Sequence, residues 1–98
     1  MPDELEPLDV AQAKINLAAR ARHLLNDPTL EEAFDALLTD ADQAREMSEP
    51  GDVILREECH KAKKAIQALR KKLAFWVADG SIEQARLDEE EKKNAATN

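Results

Sequence analysis

The chain has 98 residues, a formal net charge of −7 and a single cysteine. That length allows one small domain with a modest core, and one cysteine excludes an internal disulfide and points to a reducing cytoplasm or a particle assembled there. Alanine, leucine, glutamate, lysine and aspartate dominate, only two glycines occur, and β-branched residues never alternate over a strand length, so the composition predicts an all-α protein and argues against a sheet.

In chain order, residues 1–8 read as a disordered acidic arm, with two prolines and three acids (Asp3, Glu4, Glu6) and little to bury. No apolar stretch of a signal peptide follows, and no apolar run approaches the roughly 20 residues of a membrane span. A first helix is predicted over 9–26, capped by Asp9 with Gln12 at the capping-box position. Val10, Leu17 and Leu24 repeat at seven, with Ala13, Ala21 and Leu25 beside them, and Asn26-Asp27-Pro28 ends the helix.

The second helix is predicted over 28–48. Either Asp27 caps it with Pro28 at the first helical position, or Thr29 caps it with Glu32. Leu30, Ala33, Phe34, Leu37, Leu38, Ala41, Ala44 and Met47 form its apolar face. Ser48 to Asp52 reads as a turn, and Asp52 can cap the third helix, predicted over 53–79 with Gly80 as its C-terminal stop. Ser81 with Gln84 could open a short last helix over 81–90, and residues 88–98 read as a disordered tail.

The third helix carries a heptad seam of Leu55, Cys59, Ala62, Ile66, Leu69, Leu73 and Trp76, alternating by four and three. Its plain reading is the inner face of a helix in a small bundle. Its functional reading is a contact with another subunit or protein, through Leu55, Ile66, Leu69, Leu73, Phe75 and Trp76. The expected architecture is an antiparallel hairpin of helices 2 and 3, with helix 1 packed across it. The single domain spans 9–87, with a core of Leu17, Leu24, Phe34, Leu37, Leu38, Ile66, Leu69 and Leu73.

Charge is segregated. From Asp27 to Asp52 there are nine acids and one base; from Val53 to Ala78 there are seven bases and two acids. With Leu55 at heptad position d, Arg56, Lys63 and Arg70 fall at e and Glu58, Ala65 and Lys72 at g, so a parallel two-stranded homodimer would offer the e bases only one acid and an antiparallel one would bring bases near bases. Those bases suit an acidic neighbour, such as helix 2 of the same chain, another subunit or a different protein.

The basic stripe of Arg56, Lys61, Lys63, Lys64, Arg70, Lys71 and Lys72 could in principle meet phosphates. Neither aromatics nor glycines interleave with it, and a chain at −7 repels a polyanion, so nucleic acid is not an expected partner. The acidic face of helix 2 (Glu31, Asp35, Asp42, Glu46, Glu49) reads either as a solubilising surface or as a docking surface for a basic partner.

His23, Cys59 and His60 lack the spacing of a zinc site, and the two glycines form no phosphate-cradling loop. Cys59 on the seam reads as a buried small hydrophobe. A Cys59–His23 nucleophilic pair would require the two to meet across the fold with a third residue to orient them. No catalytic residue, metal ligand, cofactor or small-molecule substrate is assigned.

One stretch carries a resemblance. It comprises Ala21-Arg22-His23-Leu24-Leu25-Asn26-Asp27-Pro28, Glu32-Ala33-Phe34-Asp35-Ala36-Leu37, Pro50-Gly51-Asp52, Arg56-Glu57 and the long helix ending in Asp79-Gly80. This pattern of helix boundaries, over roughly residues 20–85, resembles small all-helical proteins encoded by tailed bacteriophages and prophages, many of unknown role and lying among virion-assembly genes. The resemblance implies a phage context, in the cytoplasm of a bacterial host or within a particle, and a contact function. It carries over no functional residue. The sequence thus leads to a non-enzymatic structural or assembly component acting through helix-mediated contacts with another protein or with itself. The alternative is a small acidic regulator that binds an enzyme through Glu31, Asp35, Asp42 and Glu49.

Overall fold

The computed structural model describes residues 7–97, and over them the chain forms three α-helices: α1 (Pro7–Leu25), α2 (Pro28–Glu46) and α3 (Val53–Thr97). The acidic arm expected before the first helix falls mainly on residues 1–6, outside the described residues. Pro7 opens α1, where its missing N–H costs nothing, and Asp9 sits in the first turn where its charge complements the helix dipole.

Of the two caps open to α2, Asp27 is the one used. Its Oδ1 accepts hydrogen bonds from the Thr29 amide at 2.8 Å and the Leu30 amide at 3.3 Å, with Pro28 at the first helical position. Such a cap contributes about 1 kcal/mol. The α2–α3 turn closes on Asp52, whose Oδ1 accepts from the Leu55 amide at 3.1 Å and so starts α3 as the sequence predicts.

Two sequence expectations are corrected along α3. Gly80 does not stop the helix, and residues 81–97 form neither a separate short helix nor an irregular tail; α3 runs unbroken for 45 residues. A glycine terminates a helix by adopting positive φ, and neither Gly51 nor Gly80 does so. Gly80 instead lies buried, at the interval of seven that links Cys59, Ile66 and Leu73.

The chain divides into two compact units, one drawn from Met1–His23 and Leu73–Asn98, the other from Leu24–Lys72. Each contains one helix pair. In the first, α1 lies antiparallel against the second half of α3: Leu8 and Ala11 adjoin Leu87, Lys14 reaches Glu83, and Ala18 meets Gly80. The packing here is close because the residues are small. Ala11, Ala18 and Ala21 are buried together with Leu73 and Gly80. A methyl group added at Gly80 would overlap the Ala18 Cβ and stand 3.0 Å from the Lys14 carbonyl oxygen. Helix 1 therefore packs along the second half of α3.

In the second unit α2 runs antiparallel to the first half of α3. Asp42 pairs with Lys63 and Asp35 with Arg70, so each step of seven down α2 matches a step of seven up α3. Phe34, Ala41 and Cys59 are its buried apolar residues, with Leu38 and Ile66 half-buried. The single core expected from the sequence is thereby divided and thinned. Leu73 and half-buried Leu17 belong to the first unit, while Leu24, Leu37 and Leu69 of the second are substantially exposed. Among the described residues no large side chain is fully enclosed, because a helix pair offers a seam and not a volume.

Gly80→Ala is expected to destabilise the first unit by about 1–3 kcal/mol, because backbone atoms of α1 stand in the way of the new methyl and outweigh alanine's helix propensity. Gly51→Ala, with nothing within 4 Å of the added carbon, should be near neutral. Thermal unfolding followed by circular dichroism checks both; equal melting temperatures for the two variants would refute the tight crossing.

Candidate protein-contact face

The polar residues of the second unit sort themselves by flank. On α2, Asp35 and Asp42 lie to one side of buried Phe34 and Ala41; on α3, Lys63 and Arg70 lie to one side of Cys59 and Ile66, at 3.6 residues per turn. The two charged flanks coincide, and Lys63 Nζ stands 2.8 Å from Asp42 Oδ1 and Arg70 Nη2 3.2 Å from Asp35 Oδ1. The Arg70 guanidinium also covers the Phe34 ring, 5.0 Å from its centroid, which shields the aromatic and contributes about 0.5–1 kcal/mol. At the turn end, Arg56 Nε donates to Ser48 Oγ at 3.3 Å, and the Ser48 hydroxyl donates to the Arg45 carbonyl at 2.6 Å.

Much of the basic stripe is therefore spent internally. Arg56, Lys63 and Arg70 point at α2 or its turn, as expected for bases that balance an acidic neighbour in the same chain. Lys64 and Lys71 lie exposed on the outer side of α3. Lys61 lines an open hollow of about 410 Å³ with Arg45, Val53, Arg56, Glu57 and His60. Of the acidic face, Asp35 and Asp42 are engaged, while Glu31, Glu46 and Glu49 are exposed.

The flank opposite the ion pairs is largely apolar and open, with exposed Glu58 and Lys72 at the heptad position of Ala65. It carries Ala33, Leu37 and Ala44 of α2 beside Leu55, Ala62, Ala65 and Leu69 of α3. Leu37 is 53% exposed and Leu69 48%; Ala33, Ala62 and Ala65 are exposed, and Ala44 and Leu55 half-buried. Large side chains left at such exposure side by side constitute an apolar patch rather than scattered surface residues.

The heptad seam is thus split lengthwise. Its Cys59–Ile66–Leu73 line turns inward, and Gly80 continues it; its Leu55–Ala62–Leu69 line forms the rim of the open flank. Of the six expected contact residues, Leu55 and Leu69 lie on this flank and half-buried Ile66 faces α2. Leu73, expected both in the core and at the contact, is buried at 5% exposure within the first unit, which leaves it a core residue. Phe75 and Trp76 belong to that unit too, and they separate: Trp76 is half-buried near the helix seam, and Phe75 is exposed on the far side of α3.

Among the described residues no three His, Cys, Asp or Glu side chains come together in a way that could hold a metal ion. Cys59 is buried in the second unit, and His23 is exposed in the first. Among these residues no helix is long and apolar enough to cross a membrane.

Two features escaped the sequence reading. Gly80 as a contact residue was signalled by its place seven beyond Leu73 and seven before Leu87. The open flank was signalled by apolar residues on α2 too many for one neighbour: Leu37 and Ala33 lie on the side away from Leu38. No family model, curated protein or solved structure matches the chain.

Arg70→Ala is expected to cost about 1–2 kcal/mol, since it strips both the ion pair and the cover over Phe34. Asp35→Asn should cost no more than about 0.5 kcal/mol, its carboxylate being well exposed. Urea unfolding measures both; equal losses would show that the ring contact contributes nothing.

Proposed function

We propose that this chain acts by contact rather than by chemistry, as a helical structural or assembly component that docks on protein through the open apolar flank of the α2–α3 pair. The observation that carries this reading is the exposure of Leu37 and Leu69 side by side with Ala33, Ala62 and Ala65. An apolar flank of this kind lowers its free energy when another protein surface removes it from water, at about 25 cal/mol per Å². Phage-particle assembly is the setting implied by the resemblance of residues 20–85.

The acidic-regulator reading has less to draw on. Two of its four carboxylates, Asp35 and Asp42, already hold Arg70 and Lys63. A basic partner would have to compete with those pairs and would find Glu31 and Glu49 as its accessible anchors.

Co-purification from the native cell separates the two. Bound protein is expected to be lost with Leu37→Asp or Leu69→Asp and retained when Glu31, Glu46 and Glu49 are all changed to lysine. The opposite pattern would favour the regulator and sink the apolar-flank reading.

A further inference from the structure

We infer that the partner on this flank is a second copy of the chain, and that two α2–α3 pairs stack so that α3 of each copy lies against α2 of the other. This rests on the contact reading above and names its occupant. Three observations lead to it.

The first is the register. Because Asp42 is level with Lys63 and Asp35 with Arg70, Leu37 of α2 stands level with Leu69 of α3, and Ala44 with Ala62. The open flank therefore presents a leucine layer and an alanine layer, each drawn from both helices. A twofold axis parallel to the helices superposes each layer on its own mate at the same height. Large residues then meet large ones and small meet small, the arrangement of a four-helix bundle core.

The second is charge. Stacking like helix on like would set an acidic α2 on an acidic α2 and a basic α3 on a basic α3. Stacking α3 on the partner's α2 sets the basic helix on the acidic one, the combination already found within one copy on the other flank. At the edges of the flank Lys61 lies on α3 and Asp40 on α2, both exposed; Glu58, also exposed, lies on the α3 side nearer the turn, at the level of Met47 and about 10 Å along the helix from Asp40. The levels of Lys61 and Asp40 differ by about one helical turn, within reach of a lysine side chain.

The third is the thinness of the unit. The helix pair encloses no large side chain completely, whereas two stacked pairs would acquire a central core.

Light scattering behind size exclusion, over protein concentrations from about 1 µM to about 1 mM, tests the inference. The expected mass is twice 11.0 kDa. Leu37→Asp and Leu69→Asp should each raise the dissociation constant at least about a hundredfold. Gln67→Asp, on the outer side of α3, should leave it unchanged. Circular dichroism establishes that each variant remains helical; because Leu37 and Leu69 are already about half exposed, neither substitution should unfold its pair.

Asp40→Lys and Lys61→Asp should each weaken the dimer about tenfold, and an equimolar mixture of the two should restore it, since each then meets its opposite. A monomer throughout the range, any other stoichiometry, a dimer indifferent to Leu37→Asp and Leu69→Asp, or one indifferent to Asp40→Lys would overturn the inference. Should the chain be monomeric, the co-purification experiment decides the broader reading. A foreign protein lost with Leu37→Asp leaves the contact function standing and removes self-association alone; one retained removes both.

Discussion

Two α-helices laid side by side can bury only the narrow seam between them, and this geometric limit governs both halves of the protein. A heptad stripe has two lines of side chains. In a two-stranded coil whose partner is equally apolar, both lines are buried. Here α3 turns the line through Cys59, Ile66, Leu73 and Gly80 toward its neighbour and leaves Ala62 and Leu69 toward the edge. How tightly the inner line packs then depends on residue size. Where Ala11, Ala18 and Ala21 of α1 meet α3, backbones approach until a glycine is required. Where α2 meets α3, Phe34 is buried in the seam and Arg70 closes over it.

Electrostatics selects the register more than it supplies stability. Exposed pairs such as Asp35–Arg70 and Asp42–Lys63 contribute little each, but a slip by one turn would part both at once. The segregation of acids to α2 and bases to α3 therefore specifies which helices lie together and in which direction. It also leaves the rest of the pair's surface free of that burden, so one flank can be charged and the other apolar.

That division gives the second unit its directional character. On the charged flank Asp35 and Asp42 are paired within the chain. Within this unit the opposite flank is left uncovered, because its two helices already form the seam. Self-association or docking would convert a half-exposed leucine pair into a core layer, a larger gain than any single ion pair on the surface offers.

Much of the local structure was legible in the sequence. Asp27-Pro28 and Asp52 set the starts of α2 and α3 through short-range hydrogen bonds to free amides, and such bonds depend on neighbours in sequence. The antiparallel pairing of the acidic helix with the basic one was equally legible, since it follows from periodicity and charge. Gly80 was misread, because a glycine means a helix stop if its φ turns positive and a close crossing if it stays helical; here the Ala18 methyl packs against it, and Ala18 lies 62 residues away in the chain. Leu73 and Leu69 have the same chemistry and sit on the same stripe, yet one is core and the other rim. Periodicity determined that both lie on one face of α3; the position of the neighbouring helix, a long-range property, decided which line of that face it covered.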